Sequence, residues 1–248
     1  MSLKQFRYAA ALASCLPLPA LAGVAVDVEI LDRKSGEVLP VYWHAGERHV
    51  AGEPGREYEI RLRNRAGGRV LAVTSVDGIN VITGRTASGR GSGYVLDAWG
   101  DVRIDGWRKS MDEVAAFYFT ALPDSYAART GRPDNVGVIG VALFRERVHV
   151  RPMESERRAS AEAAAPSAGL LGDSARADKR LGTGHGQRLD SGAVYTHFER
   201  ATETPAEIVR IYYDSRRNLV ARGVIPRSRD RYAWQQPDPF PGGFVPDP

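Results

Sequence analysis

The stretch Glu57-Tyr-Glu-Ile-Arg-Leu-Arg-Asn64 alternates charged and apolar residues with a period of two. A strand sends successive side chains to opposite faces, so Tyr58, Ile60 and Leu62 share one face and Glu59, Arg61 and Arg63 the other. A helix would distribute the same residues around its axis, so the alternation points to a strand with one wet face. Val114 to Phe119 and Val136 to Phe144 are denser in β-branched and aromatic residues and read as strands buried on both faces. Turn residues punctuate these runs: Arg33-Lys-Ser-Gly36, Ala51-Gly-Glu-Pro-Gly55, Arg65-Ala-Gly-Gly68 and Asp77-Gly-Ile-Asn80. The pattern predicts a mainly β chain: an antiparallel β-sandwich over residues 23–150 with a small α+β unit at 181–226.

Within this frame Val24–Leu31 and Glu37–Trp43 read as a hairpin, and His44–His49 as a loop. Arg65–Gly68 reads as a hairpin turn into residues 69–76. Thr83–Gly93, with four glycines, reads as a mobile loop. Asp124–Gly131 reads as one helical turn closed by Gly131. Residues 151–180 turn to Ala, Ser, Glu and Arg with no aromatic residue, and read as a linker. In the C-terminal unit, Val194–Phe198 reads as a strand. Glu207–Tyr213 is rich in strand formers, although Thr204-Pro205 with Glu207 resembles a helix start; the reading taken is a strand. A short helix capped by Asp214 and stopped at Gly223 follows. Residues 227–248 read as a Pro-rich disordered tail, since six of the fifteen prolines lie between Pro226 and Pro248.

The first 22 residues have the pattern of a signal peptide. Lys4 and Arg7 precede an apolar Tyr8–Leu18, and Ala20-Leu21-Ala22 stands before Gly23 as a small-residue cleavage site. Leu12-Ala13-Ser14-Cys15 offers a competing reading as a lipoprotein box, with anchoring through Cys15. Under the first reading the mature chain has no cysteine and depends on its core alone, which suits a bacterial periplasm. Export predicts a periplasmic or secreted protein, and no run of apolar residues is long enough for a transmembrane span. Taking Lys4 and Arg7 from the 34 basic residues leaves 32 against 30 acidic ones. That balance argues against nucleic acid as a partner. The basic residues are almost all Arg, which suits carboxylate or phosphate recognition and is equally the look of solvated faces.

The runs Arg69-Val-Leu-Ala-Val-Thr-Ser-Val-Asp-Gly-Ile-Asn-Val-Ile82, Gly93-Tyr-Val-Leu96, Ile104-Asp-Gly-Trp-Arg-Lys-Ser110 and Ser125-Tyr-Ala-Ala-Arg-Thr-Gly-Arg-Pro-Asp-Asn-Val-Gly-Val-Ile-Gly-Val141 resemble a family of uncharacterised exported proteobacterial proteins. The resemblance covers about residues 55–147. It implies export and a bacterial source, and it carries no activity and no catalytic residues.

Motifs for chemistry are weak. Gly89-Arg-Gly-Ser-Gly93 misplaces the serine of a nucleophile elbow, and Gly182-Thr-Gly-His-Gly186 lacks the third glycine of a dinucleotide fingerprint and reads as a flexible turn with a solvated His185. His44, Glu47 and His49, with His149, are the only grouping that suggests zinc, and their spacing matches no motif. No cofactor or metal is expected. The candidate site is instead a pair of loops carrying Trp107 and Arg108, and Tyr126, Arg129, Arg132 and Asn135. There an exposed Trp would stack a ring while Arg holds an anion; the bland reading has Trp107 capping the core. The expected function is an exported, non-catalytic binding or assembly protein of the cell envelope. Its partner would be an envelope protein or an anionic glycan or peptide. The alternatives are a periplasmic hydrolase with His185 or His44 as general base, and an assembly role for exposed strand edges or the tail.

Overall fold

The computed structural model describes residues 26–148 and 180–227. The targeting segment at 1–22 with Cys15, His149, nearly all of the 151–180 linker and the tail beyond 227 lie outside the described residues. In chain order the strands are β1 (Val26–Asp32), β2 (Val41–His44), β3 (Glu47–Gly52), β4 (Glu57–Asn64), β5 (Val70–Val76), β6 (Ile79–Asn80) and β7 (Tyr94–Leu96). They continue with β8 (Asp101–Ile104), β9 (Gly106–Arg108), β10 (Glu113–Ala121), β11 (Val138–Arg145), β12 (Leu181–Asp190) and β13 (Glu207–Ser215). Two short helices, α1 (Tyr126–Arg129) and α2 (Arg216–Ala221), complete the described elements of more than three residues.

The protein is mainly β, and its strands form two sheets. One runs β1-β4-β10-β12, with β8 on β4 and β9 on β10; the other runs β2-β3-β13-β11-β5-β6, with β7 on β5. All pairs are antiparallel except β13 with β3. The alternation in β4 is realised as expected. Tyr58, Ile60 and Leu62 are fully buried in the core, while Arg61 pairs with Glu29, and Glu59 with Arg103, on the other face. Tyr58 stacks on Phe119 at 4.4 Å and on Phe117 at 5.3 Å, and Phe119 meets Tyr213 of the second sheet at 5.4 Å. This aromatic column ties the sheets together, and each buried Phe contributes roughly 1.5–3 kcal/mol.

The C-terminal unit at 181–226 shares the sandwich core, since β12 extends the first sheet and β13 lies within the second. Glu207–Tyr213 is a strand, as read. Helix α2 starts one residue later than expected, with the Ser215 hydroxyl accepting from Asn218 N–H at 3.2 Å, and it ends at Gly223 with φ +75°.

Several connections differ from the sequence reading. Val24–Leu31 and Glu37–Trp43 form only the closing end of the expected hairpin. Leu31 and Val38 make an isolated antiparallel bridge, with Asp32 N–H donating to Glu37 O and Leu39 N–H to Ile30 O. Pro40 then cannot donate to a ladder, and the chain leaves for the second sheet. His44–His49 is not a loop: β2 and β3 form a hairpin whose turn residues Ala45 and Gly46 both have positive φ, 50° and 80°. Arg65–Gly68 crosses between sheets. Asn64 fixes it by donating to Gly68 O and Asp97 O while accepting from Ala66 N–H. Val194–Phe198 forms no strand, and Val194 and Tyr195 are exposed. Finally, Gly182-Thr-Gly-His-Gly186 is not a turn but part of β12. A Cβ on Gly184 would lie 2.1 Å from Tyr118 Cζ, and one on Gly182 2.6 Å from Ser125 Cβ. The glycines are there for close approach, not for a bend.

Candidate functional site

The loops that carry the sequence-based site do not form it. Trp107 is 3% exposed. Its strand β9 pairs with β10 in the register Ala115↔Trp107, which turns the indole inward. There it packs edge-on to Phe117 at 5.2 Å and against Tyr126 at 4.9 Å, and its N–H donates to Gly184 O at 3.1 Å. The bland reading of Trp107 as a core residue is the correct one. Arg108 donates to Tyr94 Oη at 3.1 Å and to the backbone oxygens of Ser191 and Met111, so it stitches the segment after β12 to the sheet. Tyr126 is half-buried between Trp107 and His185. Arg132 donates to Gly84 O and Thr130 Oγ1, both at 3.0 Å. Arg129 is exposed on α1. Asn135 lines a different groove of about 280 Å³ with Gly137, Tyr213, Asp214 and Arg222.

Among the described residues the histidines are not brought together with a nucleophile and a carboxylate. His185 lies on β12, with burial and then the Lys109 charge lowering its pKa. Its ring neighbour is Tyr126, 5.6 Å away, rather than a carboxylate or a nucleophile. His44 and His49 have ring centroids 6.3 Å apart, and Glu47 Oε2 lies 3.8 Å from His49 Nε2. Among the described residues, no group of three or more His, Cys, Asp or Glu could hold a metal ion. His49 is buried with neither ring nitrogen hydrogen-bonded, and burial, followed by the Arg222 charge, holds its pKa down.

One buried polar cluster escaped the sequence reading. Asp77, in the β5–β6 turn with φ +52°, is 1% exposed. Its carboxylate accepts from Thr183 N–H at 2.8 Å on β12 and Gly137 N–H at 2.9 Å just before β11. The Tyr213 hydroxyl on β13 also donates to it. Thr183 Oγ1 lies 2.7 Å from both Tyr213 Oη and Tyr58 Oη. Each hydroxyl has one proton, so the donors run Tyr58 to Thr183 to Tyr213 to Asp77. The cluster is closed and joins both sheets; it is a clip rather than a reaction centre. In the sequence Asp77-Gly78 signals only a turn, which it also is.

The surface that departs from an ordinary solvated face is at the β2–β3 hairpin. A groove of about 320 Å³ runs between the hairpin and the start of β13, lined by Trp43, Glu47, Arg48, Ile208, Val209 and Arg210 among others. Trp43 is 65% exposed and Ile208 47%. The Arg48 guanidinium lies 5.2 Å from the Trp43 ring centre. Among the described residues neither Arg48 nor Arg210 has a carboxylate partner, whereas Arg61, Arg103 and Arg188 of the strands do. Exposed aromatic and aliphatic groups beside unpaired guanidinium groups can receive a ligand with both an apolar and an anionic part. The sequence reading missed this site because Trp43 sat in a presumed strand of a presumed hairpin with β1. No protein-family model, no curated protein and no solved structure matches the chain.

Proposed function

We propose that the protein is an exported, non-catalytic binding or assembly protein of a bacterial cell envelope, and that it holds its partner in the groove beside the β2–β3 hairpin. The observation that carries this reading is Trp43: a tryptophan left two-thirds exposed over a groove, with Arg48 stacked on it. Tryptophan and arginine are the residues that most often dominate binding surfaces, since both present large planar contacts. The signal-peptide pattern of residues 1–22 and the resemblance over residues 55–147 support export. A rigid two-sheet scaffold clipped by Asp77 suits presentation of a preformed surface.

The test is co-purification of cross-linked complexes from the bacterial envelope, with the full chain tagged. Trp43→Ala with Arg48→Ala should abolish the complex without lowering the melting temperature, since both side chains lie outside the core. Arg129→Ala, on the opposite loops, should leave the complex intact. A complex that survives the Trp43/Arg48 variant contradicts the reading.

A further inference from the structure

We propose that the open flank of β13 takes up an extended peptide strand, apolar on one face and acidic on the other. This inference rests on the groove at the β2–β3 hairpin being the binding surface, and it names the partner's chemistry. β13 pairs with β11 from Glu207 to Tyr212 but with β3 only from Ile211 to Ser215. From Glu207 to Arg210, therefore, one flank of β13 has no strand beside it among the described residues. The phase of the strand follows from one bond: Tyr213 N–H donates to Gly137 O, on the β11 side. Backbone groups alternate sides along a strand, so residues 207, 209 and 211 also turn to β11. Ile208 turns its N–H and C=O, and Arg210 its N–H, to the open flank, into the groove that these residues line, while the Arg210 C=O is taken by β3 in the parallel pairing that begins at Ile211 and Arg48.

An unpaired strand edge is a template for another strand. The side chains around this edge specify which one. Ile208 and Arg210 project to one face of the sheet, and Val209 with Trp43 and Arg48 lies towards the other. An added strand therefore meets an unpaired guanidinium group and an apolar surface on alternating positions. Acidic residues on the Arg210 face form charge-assisted bonds, and apolar or aromatic residues on the other face cover Trp43 beside the already buried Val209. A strand basic on the Arg210 face would meet that guanidinium group in a like-charge approach.

The test is fluorescence anisotropy on the mature chain, residues 23–248, with a short capped peptide that alternates aspartate with valine or phenylalanine. The expected result is saturable binding that weakens at least tenfold when lysine replaces aspartate. Methylating the peptide nitrogens of one alternating set should weaken it at least tenfold, and methylating the other set should change it little. Ile208→Pro removes a flank-facing N–H that makes no bond within the fold, so it should lose binding while keeping the wild-type melting temperature. Equal binding by both methylated peptides would overturn strand addition. So would full binding by Ile208→Pro. If no peptide binds while the Trp43/Arg48 variant still abolishes the envelope complex, the strand proposal fails and the binding reading survives. If removing residues 228–248 strengthens peptide binding at least tenfold, the chain's own tail is the occupant, and the acidic partner is overturned. Concentration-dependent dimerisation lost in Ile208→Pro would assign the flank to a second copy and likewise overturn it.

Discussion

Asp77 carries its carboxylate where no bulk water reaches it, and that position sets a pH dependence. Burial raises its pKa to about 6 from the usual 3.8, against the lowering effect of the bonds from Tyr213, Gly137, Thr183 and Val138. The folded chain thus binds this proton more tightly than the unfolded chain. The stabilisation is complete below about pH 4 and is lost as pH rises through about 6, a change of roughly 3 kcal/mol. His49 works in the opposite direction. Burial lowers its pKa, so its contribution holds above about pH 6.5 and is lost as pH falls through the lowered value. Denaturant unfolding from pH 4 to 7 separates the two. The penalty of Asp77→Asn relative to wild type should shrink as pH rises through 6, and His49→Gln should lessen the acid-side loss. A pH-independent penalty for Asp77→Asn would show that the carboxyl is not perturbed as described. The two exposed and buried tryptophans differ as sharply. Trp107→Ala should cost roughly 3–5 kcal/mol, the usual loss for a large core ring, whereas Trp43→Ala should change stability by less than about 0.5 kcal/mol. Equal costs would contradict the placement of either residue.

At the scale of elements, β4, β10, β11 and β13 were legible because their side chains obey a rule that composition can express: period two, or a dense run of β-branched and aromatic residues. β12 broke that rule. Gly182, Gly184 and Gly186 read as a turn because glycine is scarce in strands, yet here each makes room for a neighbour. Information about Tyr118 lying across Gly184 exists only once β10 and β12 are paired. Gly184→Ala should therefore destabilise the protein by roughly 1–3 kcal/mol. Combining it with Tyr118→Ala should recover part of that loss, giving a coupling term in a double-mutant cycle. Strict additivity would mean that the two residues do not touch. Turns were legible by type and illegible by destination. Asp77-Gly78 and Gly131 behave as local chemistry dictates, but nothing local reveals that Arg65–Gly68 changes sheet or that Pro40 hands the chain to β2.

For the whole molecule, the fold class followed from the spacing of strands and turns, but the candidate site did not. Trp107 sits in a loop-like string of Asp, Gly, Arg and Lys, and only the Ala115↔Trp107 register turns it inward. Trp43 sits in a string that looks like core, and only its place on β2, the outermost strand of the second sheet, exposes it. Exposure is a property of how two sheets overlap, and that overlap is not written in any single stretch. Among the described residues solvent reaches Trp43, at 65% exposure, and Trp99, at 70%, and the most direct test compares their surroundings. A photo-activated cross-linker is placed in the full chain at Glu47, on the groove beside Trp43, or at position 99, and intact cells are irradiated. The expected result is a discrete adduct from position 47, competed by the acidic alternating peptide, and none from position 99. Adducts of equal yield from both positions, or from 99 alone, would contradict the assignment of the groove as the binding surface.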